Sequence, residues 1–209
     1  MRNQRVSYLT RLSVLVAIIV VMTVLNIGNI PIGPIVATIY HLPVIIGAII
    51  LGPTAGLILG GFWGLLGFIL AFTGNTTDVV ALTIIQQSPL LYFVIAFFPR
   101  LFMGGLAGLT SRGFDRLFKK RRYLGFIFTG AISSLYNTIF YLGALWLLVA
   151  PVIADIYSIS IKAVGGVVIG VATSYGLVEA GIAAVLVSAV CAALVKFLPY
   201  NTARNKEKA

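Results

Sequence analysis

Positive charge in this chain is gathered at its two ends and in one central stretch, and nearly everything between is apolar. Arg2, Arg5 and Arg11 open the sequence; Arg112, Arg116, Lys119, Lys120, Arg121 and Arg122 form the central group; Lys196, Arg204, Lys206 and Lys208 close it. With 60% of its residues hydrophobic and 10% charged, a water-soluble domain would expose large apolar patches. A bilayer core of about 30 Å instead calls for helices of roughly 20 apolar residues. Six runs fit that requirement: 7–27, 35–51, 54–72, 90–109, 123–149 and 164–198.

Backbone groups in hydrocarbon must be paired within their own segment, so the expected fold class is all-α. The expectation is a six-helix transmembrane bundle forming one domain over 1–209. The alternating strands of a membrane barrel are not evident. All three basic groups fall on one side of a six-span path, and the positive-inside rule places that side, with both termini, in the cytoplasm. The opposite loops carry only Asp78, Asp155 and Lys162, and both acids read as solvated loop residues. The net charge of +10 is thus a signal of topology and of contact with the lipid bilayer's anionic headgroups, not of nucleic acid. Run 7–27 is too long for a cleavable signal and lacks a small-residue cleavage pattern. Cys191, the one cysteine, reads as a small packing residue. A polar cytoplasmic tail is expected over 201–209.

The connections differ in character. Loop one, 28–34, carries Pro31 and Pro34, and loop two is barely a turn at Gly52-Pro53. Loop three, 73–89, places Asn75, Thr76, Thr77, Asp78, Gln86 and Gln87 around an apolar stretch, 79–85, that reads as a re-entrant or interfacial piece. Long ordered loops of this kind act as lids. Loop five, 150–163, is expected outside. Small residues recur every four positions at Gly56, Gly60 and Gly64, at Gly104 and Gly108, and at Gly166 and Gly170, a spacing that lets helix backbones approach closely within the bundle. Ser13 and Ala17 repeat it weakly on a bulky first span, a face suited to a partner helix.

Function has to come from the few polar residues at membrane depth, where an ionisable group is costly. Arg100 follows Pro99 in the fourth run, Glu179 lies mid-way along the sixth, Asn137 and Thr138 lie mid-way along the fifth, and His41 is the only histidine. Arg100 and Glu179 could pair with each other. Alternatively, Arg100 could hold a ligand carboxylate through its planar fork. Asn137 could bond a ligand amide or tie two helices together, and His41 could be a ligand contact or a packing residue. Trp63, Tyr92, Tyr136, Tyr141, Trp146 and Tyr175 supply aromatic surface. Metal-ligand spacing is missing, and no cofactor is implied. Neither a phosphate-binding G-x-x-x-x-G-K-[ST] loop nor a G-x-S-x-G elbow occurs. An enzyme reading would rest on His41 alone. A binding unit that borrows its energy from others fits better.

Three strings carry a resemblance: Ile30-Pro31-Ile32-Gly33-Pro34, His41-Leu42-Pro43-Val44-Ile45-Ile46-Gly47-Ala48 and Leu51-Gly52-Pro53-Thr54-Ala55-Gly56. Pro99-Arg100-Leu101-Phe102-Met103-Gly104-Gly105-Leu106-Ala107-Gly108, Asn137-Thr138 and Gly176-Leu177-Val178-Glu179-Ala180 extend it over most of the chain. In this order they resemble the substrate-binding S components of energy-coupling factor vitamin transporters. The resemblance implies a prokaryotic plasma-membrane protein that binds a B vitamin from outside and topples to carry it inward. It also implies partners: a transmembrane coupling protein and two cytoplasmic ATPases that supply the energy. Ser13 and Ala17 match the family's docking stripe on helix one, with Ser in place of the usual first Ala. The pattern is most similar to the group containing pantothenate-specific members, while cobalamin, folate, pyridoxine and riboflavin members share the scaffold. A non-transporting membrane scaffold is the alternative. The candidate substrate contacts are Arg100, Asn137, His41, Glu179, Tyr92, Trp63, Gln87 and Asn75.

Overall fold

The computed structural model describes residues 2–32, 35–76 and 78–197. The tail over 201–209, the last residue of the sixth run, Leu198, and Thr77, Gly33 and Pro34 of loops three and one lie outside the described residues. The order of elements is α1 (Arg2–Val24), β1 (Asn29–Ile32), β2 (Ile35–Thr38), α2 (Leu42–Leu51), α3 (Pro53–Phe72), α4 (Val79–Gln87), α5 (Pro89–Leu117), α6 (Arg122–Tyr157) and α7 (Ile161–Phe197). Five of the helices, α1, α3, α5, α6 and α7, are long and apolar enough to cross a membrane. The first, third, fourth, fifth and sixth runs are therefore helical as expected.

The second run is different. In place of the single helix expected over 35–51, the segment divides into a strand and a short helix. Ile35, Val36 and Thr38 are β-branched and favour the extended chain, and they pair antiparallel with β1 in the register Asn29↔Thr38 to Ile32↔Ile35. Pro43 sits in the first turn of α2, the helical position that tolerates a residue without an N–H. The hairpin thus occupies loop one and the start of the expected span. The 10 residues of α2 cover about 15 Å, half the bilayer core.

α2 nonetheless carries the chain from one end of the bundle towards the other. Its start lies by the end of α1, where Tyr40 Oη donates to Asn26 Oδ1 at 2.6 Å and Ile39 N donates to Gly28 O at 2.8 Å. Its far end, Gly52, lies beside the basic end of the bundle: a Cβ added there would stand 3.7 Å from the Arg112 guanidinium. Gly52 has φ +100°, a conformation open to glycine, and Pro53 begins α3 directly after it. Leu42, Val44, Ile45, Ala48 and Ile49 are buried, so α2 forms the interior of the bundle.

α3 and α5 run antiparallel and nearly touch. A Cβ added at Gly56 would collide with the Gly104 carbonyl, at Gly60 with the Arg100 carbonyl, and at Gly108 with Pro53; at Gly64 it would sit 2.7 Å from the Ala96 carbonyl. These small residues make the close seam that their spacing suggests. Gly166 and Gly170 have nothing within 4 Å of such a Cβ, so among the described residues they join no helix seam.

Two apolar clusters result. The lower one centres on α2 and includes Ile45, Ala48, Leu59, Met103, Phe126, Ala183, Val187 and Cys191; Cys191 is fully buried as a packing residue. The upper one joins α4 to the ends of α5, α6 and α7 through Ala81, Ile84, Ile85, Tyr92, Leu145, Val149, Ile153 and Val164. Loop three therefore contains a true helix, nine residues long, capped by Asp78, whose Oδ1 accepts from Ala81 N at 3.1 Å. Loop five is also mostly helical: α6 continues past a kink at Val149 (φ −136°, ψ 25°), two residues before Pro151, and reaches Tyr157. The expected span ended at that kink, which proline explains by removing a helix donor and crowding the preceding turn.

Candidate functional site

Arg100 is the organising residue between the two clusters. Its guanidinium carbon lies 4.6 Å from the centre of the Trp63 ring on α3 and 5.1 Å from that of Tyr141 on α6. Each such contact between a cation and an aromatic face is attractive, by about 0.5–2 kcal/mol depending on desolvation. Nη1 donates to the Ala96 carbonyl at 2.6 Å, while Nε is buried with no partner. The glycines of α3 make the space: Gly60 lets α3 lie against the Arg100 backbone, and a Cβ at Gly67 would come 4.0 Å from the guanidinium carbon.

The Arg100–Glu179 pair left open by the sequence does not form. Among the described residues no acid bridges Arg100, and Glu179 is engaged elsewhere. One Glu179 oxygen, Oε1, accepts from the Thr38 N–H at 2.8 Å and from the Thr38 hydroxyl at 2.6 Å. Glu179 is buried, and these two hydrogen bonds tie the end of the hairpin to α7. A cation at membrane depth without a carboxylate has N–H capacity left for an anion.

Other candidates lie at a similar depth. His41 stands one turn before Val44, which faces Gly104, just as Arg100 stands one turn before Gly104 on α5. Its ring is 1% exposed, and neither nitrogen has a partner, an arrangement that costs about 1–3 kcal/mol per unmet group. Asn137 adjoins Thr138, which faces Gly176 one turn from Glu179; its amide is half-buried with no hydrogen bond to a described residue. Tyr92 is buried against Phe68, with ring centres 6.4 Å apart. Arg100 thus meets Trp63 and Tyr141 in one group, whereas Tyr92 packs on Phe68 and Glu179 on Thr38.

Asn75 and Gln87 stand apart. Asn75 is exposed and donates to Thr73 at 3.2 Å, and Gln87 is exposed on the last turn of α4; neither shares a described contact with Arg100. Two residues of the site were not singled out as contacts from sequence. Tyr141 forms the second face of the guanidinium clamp. Thr38 is the partner of Glu179. Asp78, read as a solvated loop acid, caps α4 by accepting from Ala81 N. Tyr141 lies four residues beyond Asn137, on the same helix face, and that spacing was the available signal. Nothing local marked Thr38, which is 141 positions from its partner.

Comparisons with known proteins place the chain in a family. Residues 7–191 match the family described as "ECF transporter, substrate-specific component". The chain is 30% identical over 148 residues to the pantothenate transporter PanT of Leuconostoc mesenteroides subsp. mesenteroides, covering 66% of this chain and 68% of that one. It is 36% identical over 116 residues to the pantothenic acid transporter PanT of Lactococcus lactis subsp. cremoris, covering 50% of this chain and 57% of that one. A family match across nearly all of the described helices, on a bundle that places an unpaired arginine between aromatic rings, identifies the chain as a member of the substrate-specific components of ECF transporters.

Proposed function

We propose that the chain is the pantothenate-binding subunit of an ECF importer in a prokaryotic plasma membrane. The observation that carries the ligand chemistry is the Arg100 guanidinium, held between Trp63 and Tyr141 with no carboxylate bridging it. Pantothenate offers one carboxylate, one amide and two hydroxyls. Arg100 would take the carboxylate, and Asn137 and the unpartnered His41 would take the amide or hydroxyls. The two relatives named as pantothenate transporters support the same ligand.

The surrounding elements suit a closing site. The β1–β2 hairpin, fastened by Glu179 and Thr38, and α4, packed on α5 and α6, would cover the outer side. In this reading α2 serves as the second of six passages, with the basic ends and both termini in the cytoplasm. α1 would be the docking helix for the coupling protein. Ile19 is its one buried residue among those whose side chains are described, and Val6, Leu9, Thr10, Ser13, Val14 and Ala17 share one open face along it. Ser13 and Ala17 are both exposed there. ATP hydrolysis would belong to the two cytoplasmic ATPases.

The test is native mass spectrometry of the purified chain, followed by titration with a panel of B vitamins. One bound pantothenate per chain, with affinity in the nanomolar range and no comparable binding of the other vitamins, is expected. A folded sample that binds none of the panel, or that prefers another vitamin, would overturn the assignment.

A further inference from the structure

One row of residues on α6 changes character half-way along the helix. From the basic end it runs Thr129, Ser133, Asn137, Tyr141, Leu145, Val149, and residues four apart form a continuous ridge on a helix. Past Tyr141 the ridge is apolar, with Leu145 and Val149 buried in the upper cluster. Before Tyr141 it is polar at three successive positions. Ser133 and Thr129 are fully buried, and neither hydroxyl has a partner. Hydroxyls elsewhere in the helices, such as those of Thr23, Thr83 and Thr173, turn back to the carbonyl four residues before. The α6 pair thus keeps its hydrogen-bonding capacity unspent at membrane depth, where an unmet polar group is costly.

Arg100 joins this ridge at Tyr141, 5.1 Å from the ring centre. A rise of about 1.5 Å per residue places Asn137 about 6 Å and Ser133 about 12 Å from Tyr141 along the axis, towards the basic end. A long helical side chain leans towards the helix start, so the distance from the Tyr141 ring is shorter than that. Extended pantothenate measures about 9 Å from its carboxyl carbon to its primary hydroxyl, by the dimensions of an extended chain. A ligand held at Arg100 by its carboxylate and at Asn137 by its amide therefore follows the ridge and ends beside Ser133. Thr129, about 18 Å from Tyr141, lies beyond its reach. We propose that Ser133 is a specificity contact for the uncharged far end of the ligand, exchanging a hydrogen bond with its primary hydroxyl. This deepens the pantothenate reading and rests on it. Since the Ser133 hydroxyl has no partner within the chain, removing it weakens binding without weakening the fold, the reverse of a packing role.

The experiment is an equilibrium titration of the purified full chain in detergent with two probes: pantothenate, and pantothenate with hydrogen in place of the primary hydroxyl. The natural chain, Ser133→Ala and Ser134→Ala are compared. Ser134 is also buried and unpartnered, but it belongs to the neighbouring row with Thr138, which faces Gly176 of α7. The natural chain is expected to bind pantothenate about tenfold more tightly than the deoxy probe. Ser133→Ala should abolish that gap by weakening pantothenate alone, with its unfolding midpoint unchanged or raised; Ser134→Ala should keep the gap. The proposal fails if the natural chain binds both probes alike, if the gap survives in Ser133→Ala, if Ser134→Ala abolishes it equally, or if Ser133→Ala weakens both probes alike while lowering the midpoint. Absence of pantothenate binding to the natural chain would instead remove the reading beneath it.

Discussion

The seam between α3 and α5 and the outer face of α1 are both lined by small residues, and they do opposite things. In the seam, Gly56, Gly60 and Gly64 meet the backbone of α5 with no space for a methyl group. On α1, Ser13 and Ala17 lie on an open face, and nearly every described side chain of the helix is at least partly exposed. The seam fixes where Arg100 stands, whereas the α1 face leaves a surface for something outside the chain. Four-residue spacing thus says that a helix can be approached closely, not by what. What flanks the stripe decides: glycines on α3 oppose glycines and carbonyls on α5, but Ser13 and Ala17 oppose no described helix of this chain.

The largest expected effect breaks the seam. Gly60→Val would drive a branched side chain into the Arg100 carbonyl, which as backbone cannot rotate away. We expect a loss of about 3 kcal/mol or more, a fall of roughly 6 °C or more in the unfolding midpoint in detergent, and loss of ligand binding as Arg100 shifts. An unchanged midpoint would show that the two backbones can separate freely. Glu179→Ala acts at the edge of the same rigid half. It removes the acceptor of two hydrogen bonds that hold Thr38, each worth about 1.5–3 kcal/mol when the acceptor is charged. Ligand dissociation, followed by stopped-flow fluorescence, should quicken about tenfold, and an unaltered rate would mean that the hairpin does not gate the site.

The α1 face predicts the reverse pattern. Ala17→Leu should shift stability by no more than about 0.5 kcal/mol and binding less than about threefold, yet cut pantothenate uptake at least about tenfold in cells carrying the complete transporter. Normal uptake would remove α1 as the docking helix. The smallest effect belongs to Gly170→Leu. No described residue lies within 4 Å of a Cβ added at that position, so stability in detergent should stay within about 0.5 kcal/mol; a larger loss would mean that α7 packs there after all.

Much of this was legible because membrane depth leaves few alternatives. Five of the six long apolar runs are helical as read, and the α3 and α5 glycines make the close seam that their spacing suggests, although the same spacing at Gly166 and Gly170 makes none among the described residues. Arg100 and Trp63 could be named because a charge and a large ring stand out on apolar helices. What was not legible depended on local competition or on distance. The second run was apolar enough for a span, but β-branched Ile35, Val36 and Thr38 followed by Pro43 favoured a strand and a late helix start. Hydropathy alone cannot see that choice. The fifth run was read as ending at 149, and its apolarity did not show that the helix resumes beyond the kink before Pro151. The Arg100–Glu179 alternative could not be settled, because the hydrogen bonds that Thr38 offers to Glu179 come from a distant hairpin.

The most direct test of the central claim, that Arg100 receives the carboxylate of the vitamin, is a calorimetric comparison of pantothenate with pantothenol, its neutral alcohol. The natural chain should bind pantothenate about a hundredfold or more tightly than pantothenol, in line with the roughly 2–5 kcal/mol cost of breaking a buried charge pair. Arg100→Ala should lose that preference by weakening pantothenate alone. Equal affinity of the natural chain for acid and alcohol, or a preference that survives in Arg100→Ala, would contradict the account.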